Sequence, residues 1–104
     1  MNLDLSIKII REIEKDPNQS QRALCKRCNV SLGSIHYCIK ALVEKGYVKV
    51  RNFKNAQNKL AYAYILTPPG LTLKKELTLT FLKRKQAEYE ALHKEIRVLE
   101  EDLK

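Results

Sequence analysis

The 104-residue sequence lacks the features that mark several large classes of protein. No apolar run approaches the roughly 20 residues needed to cross a bilayer, and the N-terminus does not have the pattern of a secretory signal peptide. Three cysteines are an odd number in a chain without an export signal, so a disulfide framework is not expected. These absences predict a cytoplasmic location, and the length predicts one domain with at most an appended helix.

The sequence also has little that could support catalysis or hold a cofactor. It has only three glycines and no glycine-rich loop of the kind that cradles phosphate groups. The basic segment described below holds no pair of acidic residues, and no arrangement of a nucleophile and a base is recognisable. We therefore expect no enzymatic activity, no catalytic residue and no cofactor.

Two of the cysteines form a CxxC motif, Cys25-Lys26-Arg27-Cys28. A zinc site is a weak interpretation, because both cysteines lie on a predicted helix and no second CxxC exists. A thiol switch is an alternative, because Lys26 and Arg27 would favour the thiolate. The favoured interpretation is that the three thiols are small buried hydrophobic groups. These thiols are Cys25, Cys28 and Cys38.

The positive charge of the chain is concentrated in one segment. Residues 1–16 carry a net charge of −1, residues 17–59 carry +8 and residues 60–104 carry +1. Within the central segment nine lysines and arginines stand against one acid, Glu44. Such a concentration is the electrostatic footprint of a protein that binds a polyanion.

The first half of the chain predicts three helices. An apolar stripe predicts a first helix over residues 3–15, ended by Asp16-Pro17 because the residue before a proline avoids the helical region. Ser20 caps a second helix over residues 21–28, and Asn29 takes the left-handed conformation that ends it. A turn and a third helix then complete a helix-turn-helix. The stripe of the first helix is Leu3, Ile7, Ile9, Ile10 and Ile13, and the inward residues of the second are Leu24 and Cys28.

The third helix, about residues 31–45, has two contrasting faces. Ile35, Ile39 and Leu42 lie on the inward side, with Cys38 and Val43 at its edge. The outer face is not rich in Glu and Lys as an ordinary solvent-facing helix would be. It carries a single cation among small and aromatic polar groups that can approach a phosphate or a base edge. A polar surface helix of a small bundle is the alternative. The outer residues are Ser31, Gly33, Ser34, His36, Tyr37 and Lys40.

A β-hairpin is predicted after Gly46, which ends the third helix in the left-handed region. Alternating and β-branched residues predict strands over residues 47–53 and 60–66. The cationic loop between them, residues 54–59, is interpreted as the wing of a winged helix, with a solvated turn as the alternative. Phosphate contacts are expected from Arg22, Lys26, Arg27, Lys49, Arg51, Lys54 and Lys59, and minor-groove contacts from Asn55 or Asn58.

A long C-terminal helix is predicted after the break at Thr67-Pro68-Pro69-Gly70. We therefore divide the chain into residues 1–70, the winged helix, and residues 71–104, the helix. Leu73, Leu77 and Phe81 form a stripe expected to pack on the globular part. A second line of apolar residues steps by three and four, as in a coiled coil, and needs a partner, most simply a second copy. Folding back onto its own domain is the alternative. This seam consists of Leu82, Tyr89, Leu92, Ile96, Leu99 and Leu103.

This order of elements resembles the winged helix-turn-helix transcriptional regulators of the MarR type. The resemblance is carried by VSLGSIHYCIKALVEKGYVKV at residues 30–50 and by YILTPPG at residues 64–70. More narrowly, IKALVEKGYVKVRNFKNAQNKLAYAYILTPPG followed by LTLTFLKRKQAEYEAL is similar to a small MarR-type subfamily found with bacterial exopolysaccharide biosynthesis clusters. The expected fold class is mainly α with a β-hairpin wing (α+β), plus a long C-terminal dimerisation helix.

The resemblance implies a homodimer that binds specific double-stranded DNA in the bacterial cytoplasm, associated with the nucleoid. The third helix would enter the major groove, and the wing, residues 51–59, would contact the minor groove or backbone. Ser34, His36, Tyr37 and Lys40 would read base edges. Many MarR-type proteins build the dimer from helices at both ends. Here only the C-terminal helix is available, so a small-molecule effector is not expected.

Two other binding functions are weighed against this one. A winged helix can serve as a protein-interaction module, with the coiled coil gripping another protein and only non-specific DNA binding. The charge of residues 17–59 argues against that alternative, because protein binding alone does not require nine cations there. RNA binding is a weaker option, since the chain lacks an aromatic platform for unpaired bases.

Overall fold

The computed structural model describes the backbone of residues 1–53 and 61–104 and the side chains of residues 1–51 and 63–104. Within these described residues, four helices and one hairpin follow each other. The elements are α1 (Leu3–Lys15), α2 (Gln21–Cys28), α3 (Leu32–Glu44), β1 (Val48–Phe53), β2 (Ala61–Leu66) and α4 (Pro68–Asp102). The expected class, mainly helical with a two-stranded antiparallel hairpin and a long C-terminal helix, is confirmed.

Short polar side chains cap the helices, as the sequence indicates. The Ser20 hydroxyl accepts from the Ala23 N–H at 3.0 Å, and Asn29 follows α2 in the left-handed region at φ 55°. Gly46 has φ 80°, and its N–H donates to the Val43 carbonyl while the Tyr47 N–H donates to the Leu42 carbonyl. This pair of bonds is a Schellman motif, so a glycine is needed where α3 ends.

The core lies where α1, α2 and α3 meet the hairpin. It contains the inward residues predicted for α2 and α3, and Ile9, Ile10, Leu24, Ile35 and Leu42 are fully buried. The predicted stripe of α1 is wrong at one position, because Leu3 stands at the exposed start of the helix. Leu5 and Ser6 are buried instead.

The hairpin is joined to the helices through both backbone and side chains. Val48 pairs with Leu66 and Phe53 with Ala61 in one antiparallel register. The Tyr64 N–H donates to the Pro17 carbonyl at 2.9 Å, which ties β2 to the turn between α1 and α2. The hairpin therefore extends from a fixed base, Val48 and Tyr64, in the core.

The final helix begins three residues earlier than the predicted boundary. Thr67 caps α4, and its hydroxyl accepts from the Gly70 N–H at 3.1 Å, while Pro68 and Pro69 occupy the first turn. Prolines are tolerated there because the first N–H groups of a helix have no internal acceptor. Gly70 is required by packing, since a Cβ at this residue would lie 2.1 Å from the Tyr47 carbonyl oxygen.

The two halves of α4 have different surroundings. The first half packs on the domain as predicted, with Leu77 buried, Leu73 against the core and Phe81 half-buried. Ion pairs join α4 to α1 at Glu14–Lys74, in the first half, and at Asp4–Arg84, at the start of the second half. Residues 82–104, named the arm here, are exposed throughout, and they give the molecule its length of 67 Å against 27 and 21 Å.

No helix in the described part of the chain is both long and apolar enough to cross a membrane.

Candidate nucleic-acid interface

The outer face of α3 is built by the period of the helix. Ile35, Ile39 and Leu42 are held in the core, so the residues between them point away from the domain. Tyr37 is 73% exposed, and a tyrosine with its apolar ring and polar hydroxyl in solvent is typical of an interface. All six outer residues predicted from the sequence are exposed: Ser31, Gly33, Ser34, His36, Tyr37 and Lys40.

The start of α3 combines hydrogen-bond donors with open space. The Ser31 hydroxyl accepts from the Ser34 N–H at 3.1 Å and donates to the Ser34 hydroxyl at 2.9 Å. The N–H groups of Leu32 and Gly33 lie in the first turn, where a helix offers them no acceptor. A Cβ at Gly33 would have only the Ser31 hydroxyl oxygen near it, at 4.0 Å. This end of the helix therefore leaves room for close approach by an anionic group.

Sequence reasoning did not include Leu32 in the outer face. Leu32 is the first residue of α3 and is 46% exposed, one turn before His36 on the same side of the helix. Its apolar side chain places it with core residues when hydrophobicity is the only signal. Leu32 directly follows the Ser31 cap, so it lies before the first buried residue of α3. This position is the signal that could have identified it as exposed.

Exposed cations of α2 and β1 flank this face in the sequence. Five of the predicted backbone contacts have described side chains. Four of them, Arg22, Lys26, Lys49 and Arg51, are exposed and form no ion pair with another described residue. Arg27 is also exposed, but its guanidinium lies 3.6 Å from the Glu12 carboxylate. The predicted wing contacts Lys54, Asn55, Asn58 and Lys59 fall outside the described residues.

The cysteines lie inside the domain and not on this face. Cys28 and Cys38 belong to the core, and Cys25 packs against it. Burial raises the pKa of the Cys28 thiol, with the Glu12 carboxylate adding to the effect. Burial also raises the pKa of the Cys38 thiol, although its contact with the Ser6 hydroxyl at 3.4 Å opposes the rise. These shifts disfavour the thiolate that a switch at Cys28 or Cys38 would need, in keeping with thiols that act as buried hydrophobic groups.

Residues of the described segments form no group of three or more His, Cys, Asp or Glu that could hold a metal ion. His36 points outward from α3, whereas Cys28 and Cys38 are in the core. The exposed ring of His36 therefore lies on the outer face of α3, apart from these two thiols.

Comparison with known proteins supports the same architecture. Residues 3–49 match the family model described as winged helix-turn-helix DNA-binding. No curated protein matches the chain in sequence.

Solved structures of DNA-binding proteins and MarR-family regulators are similar in fold. Sso10a-2, a DNA-binding protein from Sulfolobus solfataricus, matches with 18% identity and a TM-score of 0.66 over 95% of this chain and 96% of its own. A MarR/EmrR family transcriptional regulator from Acinetobacter sp. ADP1 matches with 20% identity and a TM-score of 0.61 over 94% and 73%. MepR from S. aureus, in complex with DNA, matches with 16% identity and a TM-score of 0.61 over 95% and 74%. The chain therefore has a winged helix-turn-helix fold, and MarR-family regulators are among its structural neighbours.

Proposed function

We propose that the protein is a transcriptional regulator that binds specific double-stranded DNA as a homodimer. The observation that carries this proposal is the outer face of α3, where exposed small polar groups, Tyr37 and Lys40 replace the usual charged surface. The face lies within the segment that carries the whole surplus of positive charge, residues 17–59. A helix-turn-helix with this surface fits the major groove of B-DNA.

Base readout is assigned to the outer residues of α3. Hydroxyl groups and a lysine reach acceptors on base edges, and Lys40 can contact guanine O6 and N7. Tyr37 leaves 73% of its surface exposed, so its ring and hydroxyl can contact bases. Leu32 offers an apolar side chain to the methyl group of a thymine. The remaining assignments for readout are Ser34 and His36, while Ser31 and Gly33 lie at the helix start, which suits a phosphate.

Affinity is assigned to phosphate contacts that do not depend on sequence. Cations that neutralise phosphates release counterions, so the affinity falls as salt increases. Arg22, Lys26 and Arg27 extend from α2, and Lys49 and Arg51 extend from β1 at the base of the hairpin. We also assign residues 54–59 to this surface, as a wing on the minor groove or backbone. These residues add Lys54 and Lys59.

The homodimer is assigned to the arm. Its apolar residues are exposed although they follow the three-four spacing of a coiled-coil seam, and an isolated helix of this kind would leave the seam in water. A two-fold dimer predicts a pseudo-palindromic operator. The exposed seam residues are Leu82, Tyr89, Leu92, Ile96, Leu99 and Leu103.

Control of transcription would follow from occlusion of a promoter or recruitment of polymerase to it, without catalysis by this chain. The similarity of residues 20–96 to the subfamily associated with exopolysaccharide clusters makes such genes the first candidate targets. The DNA upstream of the protein's own gene is the first candidate operator.

The test is titration of purified protein against that upstream duplex and a random duplex at two salt concentrations. We expect a specific complex that survives at about physiological salt, where non-specific binding is typically only 10⁻⁴–10⁻⁶ M. Equal and steeply salt-dependent binding to both duplexes would contradict sequence-specific regulation. That result would favour a protein-interaction module that binds DNA only non-specifically.

Two variants separate the roles of α3 and β1. Tyr37→Ala should remove most of the preference for the specific duplex, because its contact is with bases. Arg51→Ala should weaken both duplexes alike and reduce the slope of log K against log salt by about one, because its contact is with phosphate. If both variants lower the two affinities by the same factor, the assignment of Tyr37 to base readout is wrong.

A further inference from the structure

We propose that two copies of the chain pair through their arms in antiparallel orientation, so that the basic start of each arm lies beside the acidic end of the other. This inference rests on the homodimer of the proposed function and adds its direction. The exposed seam is covered by the arm of a second copy.

The seam leaves large apolar side chains exposed along the arm. Tyr89, Leu92 and Leu99 are each more than half exposed. Exposed apolar side chains continue toward the start of α4 at Leu82, Leu79 and Leu71. Leu79, for example, is 53% exposed. Leu73 and Leu77 meet the domain from a different side of the helix, so the described part of the domain does not cover the seam.

The charges of the arm differ between its two ends. Lys83, Arg84 and Lys85 form a basic block at the start, and Glu100, Glu101 and Asp102 form an acidic block at the end. In a parallel pair each block would face the same block of the partner chain. Like charges would then repel each other at both ends. In an antiparallel pair each basic block faces an acidic one, so both ends attract.

Lys85 adds a second argument for this direction. It stands where the three-four spacing, continued back from Tyr89, next reaches the seam. A parallel in-register pair would bring two Lys85 ammonium groups into one layer of the seam, where desolvation disfavours charge. An antiparallel pair brings each ammonium group to the acidic block of the partner. The exposed pair that Lys85 makes with Glu88 at 3.1 Å within its own helix is weak and can exchange.

The charge blocks also define the register of the pair. They lie side by side when the two-fold axis passes between Leu92 and His93. This register brings Leu82 close to Leu103 of the partner subunit and Tyr89 close to Ile96 of the partner subunit. The Tyr89 and His93 rings already stack, with centroids 6.2 Å apart and planes 7° apart, so an ordered aromatic pair would flank the axis.

The antiparallel pair places the two winged helices at opposite ends of the dimer. The Glu14–Lys74 and Asp4–Arg84 ion pairs attach α1 to the part of α4 before and at the start of the arm. With the axis beside Leu92, the two copies of Lys74 would be about 55 Å apart along the helices, at 1.5 Å per residue. The two recognition helices would therefore contact well-separated half-sites.

Charge reversal tests the direction. The first variant is Lys83→Glu with Lys85→Glu, the second is Glu100→Lys with Asp102→Lys, and the third combines all four changes. Arg84 and Glu101 stay unchanged because they pair with Asp4 and Lys104. Sedimentation equilibrium measures the dimer dissociation constant of each.

An antiparallel pair predicts that either two-site variant raises the dissociation constant by about tenfold or more, because like charges then meet at both ends. The four-site variant should return it to within about threefold of the parent, because the blocks are complementary again. Equal dissociation constants for all four proteins would overturn the antiparallel direction, since a parallel pair keeps like against like in each. A parent that stays monomeric would instead contradict the homodimer itself.

A distance measurement provides an independent check. A spin label at Lys104→Cys, in a Cys25→Ser background that removes the half-buried thiol, reports the separation of the two helix ends. The antiparallel register predicts about 35 Å between the labelled positions along the axis. A separation of about 10 Å, the spacing of adjacent helices, would show a parallel pair and overturn the proposal.

Discussion

The two halves of α4 belong to one unbroken helix but depend on different contacts. Between Pro68 and Phe81 the helix is held by Gly70 and Leu77, which are buried, and by Leu73 at the core. Beyond Leu82 every residue is exposed. Helix propensity alone gives marginal stability in water, and most of the stability of a protein helix comes from packing an apolar face. The comparison shows that the first half packs on the domain, whereas the second half packs on none of the residues whose side chains the structure describes.

The spacing of apolar residues distinguishes the halves more clearly than their number does. Leu73, Leu77 and Phe81 are separated by four residues each, which forms a short stripe suited to a curved domain surface. The seam from Tyr89 to Leu103 alternates steps of three and four, which suits another long helix. One helix can thus carry two interfaces because the two patterns lie on different sides of it.

The largest effect that tests this comparison is on the stability of the domain. Ile10→Ala should lower its free energy of unfolding by about 2–5 kcal/mol, because Ile10 is fully buried. Leu92→Ala should change it by less than about 0.5 kcal/mol, because Leu92 is exposed in the arm. Urea denaturation at protein concentrations below the dimer dissociation constant measures both. An equal loss from the two variants would mean that the arm contributes to the folding of the monomer.

A carboxylate placed within the arm should weaken the proposed dimer only when it lies in the seam. Ile96→Asp should raise the dimer dissociation constant by about a hundredfold or more, because it places a carboxylate in the proposed seam. Val98→Asp is the matched control, since Val98 is 61% exposed but stands outside the three-four pattern. Analytical ultracentrifugation should find the control within about threefold of the parent. If Val98→Asp dissociates the dimer and Ile96→Asp does not, the interface uses another side of the helix.

Much of the fold can be predicted from the sequence because helical period and capping are local signals. Ser20, Asn29, Ser31 and Gly46 mark the helix ends, and Ile35, Ile39 and Leu42 mark the buried face of α3. These features depend on residues a few positions apart, so pattern is sufficient.

The misses have physical reasons of another kind. Pro68 and Pro69 predict a break, but proline is also compatible with the first turn of a helix, and only contacts decide between the two. The Gly70 backbone lies against the Tyr47 carbonyl, a contact between distant parts of the chain. Leu3 and Leu32 are apolar residues at helix starts, and hydrophobicity alone assigns both inward although both are exposed.

The smallest predicted effect concerns the domain alone, because all three thiols lie there. Burial raises the pKa of Cys28 and Cys38 above the ordinary value of 9.0. The unfolded chain therefore loses these protons at lower pH than the folded chain. The stability from protonated thiols is complete below about pH 9 and declines as pH rises through the folded-state values. Urea denaturation of the parent at increasing alkaline pH should show this decline, and Cys38→Ala should show a smaller one. An identical pH dependence of parent and variant would contradict the assignment to Cys38.

The continuity of α4 from Pro68 to Asp102 fixes a rotational phase between the surface of α3 and the seam. Each residue of a helix turns the following chain by about 100° and advances it by about 1.5 Å. One residue inserted after Phe81 would therefore point the seam in a new direction relative to α3, whereas seven inserted residues would return it to within about 20° and shift it by about 10 Å. The number of residues in the helix, as much as their identity, therefore determines which way the outer face of α3 would point in the proposed dimer.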